Sequence, residues 1–349
     1  MPILAILLTL LLSLAAAANI IFVTPNGSGD YFTILSAYNA SAAGDTILIG
    51  PGTYNESVTS INRRLHIIGA GFDVASTLKF TFNTGGSRST VEGMRFDQSS
   101  NDAMVFSSSD SVTVRRCMLK NTSLWVLLIG PANGRMYVED CIFLRTFTGG
   151  SGLDLVSVSS GGRSYFRNCL FASHLASNNH NAVDGSTTRT EFHNCTFLGF
   201  NDVFNMNCTE PSVFINNLFA DWGTASWGTV HPGSVWDYNA STASTPPGTH
   251  ALLLPGNPFV NYVDSENFIY GTSDLRVVPA SPAYNGGHPD ILDLDGSVSD
   301  LGIYGGPTPM VDTGAPAYPF AITVATSPAT ALVGTNVDLN SVGRIGPQY

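Results

Sequence analysis

Five stretches of this 349-residue chain can be laid under one another. They are VTVRRCMLKN from Val112, MYVEDCIFLR from Met136, SYFRNCLFAS from Ser164, TEFHNCTFLG from Thr190 and SVFINNLFAD from Ser212. A degenerate copy, STVEGMRFDQ, starts at Ser89, and a weaker one, SVWDYNAS, at Ser234. Each reads apolar, any, polar corner, Cys or its equivalent, any, then Phe or Leu. The register residues Met94, Cys117, Cys141, Cys169, Cys195 and Asn217 are 23, 24, 28, 26 and 22 residues apart. A unit this short cannot bury its own apolar face, so copies must stack to make a core.

Period-2 alternation on both sides of a polar corner describes two short strands meeting at a bend. Inward positions are then Val114, Val138, Phe166, Phe192 and Phe214, the Cys column, and Leu119, Phe143, Phe171, Phe197 and Phe219. The corner is Asp140, Asn168, Asn194 and Asn216, with Arg116 the exception. Asn and Asp tolerate the left-handed backbone that such a corner demands. Stacked Asn side chains can also pass amide hydrogen bonds along the axis. No helical period separates the strands, which excludes βαβ units. Continuous apolar runs, the mark of a sheet covered on both faces, are also missing. The reading is all-β, a right-handed parallel β-helix (a solenoid) with a short N-terminal capping helix at FTILSAYNASA.

The repeat decides how the five cysteines are read. Cys117, Cys141, Cys169 and Cys195 share one column, at the inter-strand spacing of about 4.8 Å. Free stacked thiols fit that position better than disulfides, which need a specific side-chain geometry. The spacing is also unlike that of zinc ligands. The net charge of −11 argues against nucleic acid as a partner. With only 12% charged residues, that charge reads as thinly spread.

Residues 1–18 form an apolar run ending in Ala, a secretory signal with cleavage near Ala17 or Ala18; retention as an anchor is the alternative. No later segment is apolar enough to span a membrane. The β-helix is assigned to 19–309, with 19–50 as its N-terminal cap and 281–307 as an Asp/Gly-rich module at the far end. Residues 310–349 read as a Pro/Thr-rich tail or a truncated β segment. Asp290, Asp293, Asp295 and Asp300 gather in the far module. They suit either Asx-turns or a structural calcium ion, although the spacing is not that of an EF-hand. No other cofactor is implied. Seven N-x-S/T sequons occur, at Asn26, Asn39, Asn55, Asn121, Asn194, Asn207 and Asn239.

Other polar and aromatic groups are open to two readings. SHLASNNHNAVDGS carries His174, His180 and Asp184 on the longest coil, as a metal or acid–base site or as a polar loop. Trp222, Trp227 and Trp236 fall on adjacent coils and suit core packing or sugar stacking. His193 reads as solvated strand surface.

PGTYNESV, IIGAG, the F-x-N-C-x-F-x-G repeats and GFNDVF together resemble the pectin lyase superfold, over roughly Ile20 to Tyr304. The nearest enzyme in it is pectin methylesterase. The ending DLDGSVSDLGIYGGP resembles the terminal module of secreted bacterial parallel β-helix repeat proteins. In pectin methylesterases a G-Y-Q-D-T-L segment supplies the general acid. Gly199, Phe200, Asn201 and Asp202 follow it with Asn for Gln, so the resemblance makes Asp202 the acid. It then expects a nucleophilic Asp on the next coil. Alignment through Asn216 and Asn217 puts Thr224 there, with Asp221 the nearest carboxylate and out of register. An acid without its nucleophile cannot run a two-carboxylate mechanism. The family's Arg motif and the fold's glycosidase signatures are absent as well.

The sequence therefore points to a secreted or surface-displayed, non-catalytic β-helix protein. Its role would be structural, adhesive or glycan-binding, with self-assembly of the rod a further option. The rival is a polysaccharide-active enzyme centred on Asp202 or on the His174–Asp184 loop.

Overall fold

The computed structural model describes residues 18–99, 102–122, 126–146, 154–174, 181–200, 202–221, 227–328, 330 and 333–346. The signal segment lies outside them apart from its last position. No helix among the described residues is long and apolar enough to cross a membrane.

Alternating residues fold as short parallel strands that stack rung on rung. Ten of them, from Ile20–Val23 to Val235–Asp237, form the first face. The second and third faces belong to one continuous sheet, joined by the strand Ala75–Phe82. Its residues Ser76 and Thr77 pair with Arg95 and Phe96, while Phe80–Phe82 pair with Met104–Phe106. The coil is right-handed, as parallel crossovers almost always are. The result is a right-handed parallel β-helix. The sequence predicts one strand either side of each corner; the third face comes from the stretches between repeats.

The register follows the sequence columns. Val114, Val138, Phe166, Phe192, Phe214 and Trp236 are partners in turn. So are Leu119, Phe143, Phe171, Phe197 and Phe219. The Phe171–Phe197 and Phe197–Phe219 rings stack at 4.8 Å, and Trp236 lies 3.8 Å from Phe214. Each such pair adds about 0.5–1.5 kcal/mol beyond burial. The four column cysteines are free and buried. Cys141 Sγ faces the Val114 carbonyl at 3.6 Å, and Cys169 Sγ the Val138 carbonyl at 3.5 Å. Asn217 and Asn239 continue this column, each Nδ2 donating to a carbonyl one rung away.

Every corner takes the left-handed conformation. Arg116, Asp140, Asn168, Asn194, Asn216 and Tyr238 have φ between 50° and 59°. Asn121, Asn194 and Asn239 are buried, which withdraws three of the seven sequons from the surface.

Two sequence expectations change here. Residues 281–307 do not stand at the far end of the tube. They fold back along the corner column as a strap, from late rungs towards early ones. Asn216 Oδ1 accepts from the His288 N–H, and Asn194 Nδ2 donates to Ser299 Oγ and the Asp300 carbonyl. Asn168 Nδ2 donates to the Ile303 and Gly305 carbonyls, and Asp140 Oδ1 accepts from the Val311 N–H. The corner amides therefore serve the strap; among the described corner residues only Asn216 to Asn194 is bonded along the axis, at 3.5 Å. The chain arriving at the strap covers a second apolar layer on the outside of the second face, where Ile142, Leu170, Leu198 and Leu218 meet Phe259, Leu275 and Leu301.

The helix Ile34–Ala40 forms, with Thr33 as its N-cap, and buries Ile34, Ala37 and Tyr38 against the first strands. Residues beyond 310 end in the hairpin Phe320–Ser327 with Asp338–Arg344. Arg344 ties it back to Asp73.

Candidate functional site

Asp202 lies half-buried just before the third-face strand Phe204–Cys208. On the neighbouring rung Asp184 is the register partner of Asn205, and its Oδ1 accepts from Asn205 Nδ2 at 2.6 Å. Burial first, and then the charge of Asp154, raise the Asp184 carboxyl above its ordinary range. Asp154 Oδ1 accepts from the backbone and side-chain nitrogens of Asn181. The segment where an esterase nucleophile would stand, 224–226, lies outside the described residues, as do Asn201, His180 and Trp222. Asp221 has its own task. At a φ of 51°, it accepts from the Ser265 N–H and the Tyr262 hydroxyl and so anchors the chain that leaves the last rungs. The rung beyond Asp202 approaches closely: Asn205 bridges to Thr229, and a Cβ on Gly228 would sit 1.5 Å from the Phe204 carbonyl.

The described tryptophans fill the tube. Trp236 is buried, and Trp227 packs edge-on to Phe219 at 5.0 Å and to Trp236 at 5.7 Å. Three of the four strap aspartates work within it, while Asp290 is exposed. Asp293 accepts from the Asp300 and Gly306 N–H groups, Asp295 from Ser297, and Asp300 from the Asn285 N–H. Among the described residues no group of three His, Cys, Asp or Glu is placed to hold a metal ion. His193 is half-buried and sits 3.4 Å from Glu191 rather than standing free in solvent.

A groove of about 640 Å³ runs over the outside of the second face. Its floor is the outward side of successive rungs: Arg95 and Asp97, then Met118 and Lys120, then Leu144 and Thr146. One wall is Phe72–Asp73 and the other is Phe268–Tyr270 from the returning chain. His174 closes one side. Its Nε2–H donates to the Phe268 carbonyl at 2.9 Å, which leaves Nδ1 as the acceptor of the neutral ring. Burial lowers the His174 pKa, with Lys120 adding to the effect, so the ring is neutral at pH 7. Both groove carboxylates already have cations: Arg95 Nε reaches Asp97 at 2.7 Å, and Arg344 grips Asp73 with both terminal nitrogens. Lys120 has no ion pair among the described residues. Of this site, sequence reading found only His174. The rest is outward strand residues, which look like ordinary surface until residues 268–270 roof them.

The chain matches no known protein family by sequence, and no characterised protein resembles it closely in sequence. Among solved structures it is similar to pectate lyase Pel9A, at 15% identity and a TM-score of 0.49 over 82% of this chain and 96% of that one. It is also similar to the pectin methylesterase of Aspergillus niger, at 15% identity, TM-score 0.44, over 65% of this chain and 84% of the enzyme. PemA, the pectin methylesterase of Erwinia chrysanthemi, aligns at 18% identity with a TM-score of 0.35, over 68% and 74% of the two chains. Values this low transfer no activity and no site. What defines the class is the rung register itself: this is a right-handed parallel β-helix protein.

Proposed function

We propose that the protein is an extracellular β-helix that binds a polysaccharide without cleaving it, in the groove roofed by Phe268–Tyr270. One observation carries this reading. The groove offers a lysine with no ion pair among the described residues, a neutral imidazole and a ring-bearing wall, while each of its carboxylates is neutralised by its own guanidinium. With each carboxylate engaged by a guanidinium, the described residues of the groove offer no free pair of carboxyl groups of the kind a glycosidase uses. A linear sugar chain suits a groove crossing rungs, since rings stack on aromatic faces and hydroxyls bond to fixed polar groups.

Affinity electrophoresis against a panel of soluble glycans tests the reading, with product analysis on the same incubations. Retardation without product, reduced about tenfold in Lys120→Ala, upholds it, as for loss of one charged hydrogen bond. Turnover of any glycan overturns it. A second reading rests on the raised carboxyl of Asp184 beside Asp154, an arrangement that could serve acid–base chemistry. In that case turnover should vanish in Asp184→Asn.

A further inference from the structure

The chain's net charge is −11, yet its cations are not scattered. Arg135, Arg163 and Arg189 are register partners on the outer side of the first face, and Arg115, Glu139, Arg167 and His193 form a second outward column. Between the columns stand Tyr137 and Tyr165, their rings stacked at 5.1 Å and 11°. Five of the 15 cationic residues thus share four rungs of one face. The face ends at the corner, where the strap crosses.

At that crossing there is a small cavity of about 130 Å³, lined by Arg115, Arg116, Glu139, Asp140, Arg167 and Thr308. Arg116 is only 7% exposed. Its Nη2 is 3.0 Å from Glu92, but its Nη1 is buried and has no hydrogen-bond partner among the described residues. A buried guanidinium donor left unpaired costs more than an ordinary lost hydrogen bond. Glu92 cannot readily supply the missing acceptor. Its Oε2 takes Arg115 at 2.8 Å, and its Oε1 also receives the Ala317 N–H. Asp140 Oδ1 accepts from the Val311 N–H, and burial raises its carboxyl well above the ordinary range. Arg167 is exposed and has no ion pair among the described residues.

We propose that this cavity is an oxyanion site: a carboxylate, sulfate or phosphate group enters beside Thr308 and is held by Arg116 Nη1 and the Arg167 guanidinium. The cavity equals the liquid volume of about four waters, enough for such a group. Planar guanidinium groups are the side chains best matched to oxyanions. The stacked tyrosines lie two residues back along the same strands, about 7 Å away, where the sugar bearing the group would rest. The site is independent of the groove on the second face, so a failure there leaves it standing.

The test is thermal unfolding of the intact protein with sodium sulfate, phosphate or glucuronate, against sodium chloride at matched ionic strength, followed by titration calorimetry. A ligand that binds only the native state raises its melting temperature. We expect saturable stabilisation by at least one oxyanion. Arg167→Ala should weaken binding about tenfold, as for a lost charge-assisted hydrogen bond. Glu139→Gln should strengthen it by removing a competing carboxylate, a gain that a purely structural role does not predict. Lys120→Ala should leave it unchanged. Equal binding of free sulfate and a sulfated disaccharide identifies a free ion as the ligand. Tighter binding of the disaccharide, lost in Tyr137→Ala, identifies an acidic glycan. Both outcomes uphold the site. No stabilisation by any oxyanion, or binding indifferent to both Arg167→Ala and Glu139→Gln, overturns it.

Discussion

The cysteine column and the corner column stand one residue apart in every rung, yet they are satisfied in opposite ways. Inside, the thiols of Cys117, Cys141 and Cys169 lie against carbonyls of their own rung and of the rung before. Repetition alone closes that column. Outside, Asn168, Asn194 and Asp140 find partners 135, 105 and 171 residues downstream. A thiol is a weak donor that tolerates approximate geometry, whereas a carboxamide brings two strong donors and an acceptor. One neighbouring Asn cannot serve them all, and the strap supplies the remainder.

The comparison can be broken most severely from inside. Phe192 is fully buried between stacked partners, and Phe192→Ala should cost about 3–5 kcal/mol, seen as an earlier urea midpoint for the whole tube. At the corner, Asn194→Ala removes the donor to Ser299 and Asp300 and forces Ala into a left-handed position. A loss of about 2–3 kcal/mol is expected, with faster hydrogen exchange over 288–305 while the rungs stay protected. Uniform loosening of both would show that the strap has no separate stability. Cys169→Ala should cost about 1 kcal/mol. Thiol labelling sharpens that column further: half-buried Cys208 should react in the native protein, and all five cysteines only after denaturation.

The smallest effect is a pH dependence confined to the strap. Burial raises the Asp300 carboxyl from 3.8 to about 6, helped by the charges of Asp293 and Asp295 and opposed by the Asn285 N–H. A carboxyl whose pKa is higher folded than unfolded contributes stability below its unfolded value. That contribution is lost as pH rises through the folded value. Asp293 and Asp140 are displaced the same way. Strap exchange, corrected for its intrinsic pH dependence, should therefore quicken between about pH 4 and 6, and Asp300→Asn should flatten the change.

The tube was legible because a stacked coil writes itself repeatedly. Cys117, Cys141, Cys169 and Cys195 announce their register, and the φ of Asn168, Asn194 and Asn216 follows from residue type. The strap was not legible, because each of its contacts occurs once. Nothing near Asn168 indicates Ile303, and nothing in a Gly/Asp-rich ending indicates that it lies along the corner instead of closing the far end. The candidate groove failed to show for the same reason: Lys120 and Arg95 become a site only when Phe268 and Tyr270 arrive from 148 to 175 residues downstream. Asp202 shows the converse. Its motif is local and readable, but the described residues bring no second carboxylate into register beside it.

The strap also sets an order of events during synthesis. Translation delivers Asp73, Asp140 and Asn168 long before Arg344, Val311 and Ile303, so an emerging tube carries hydrated corner groups that nothing yet answers. The later-made residues act as a clasp. A chain halted before His288 would coil but stay unfastened along one whole edge.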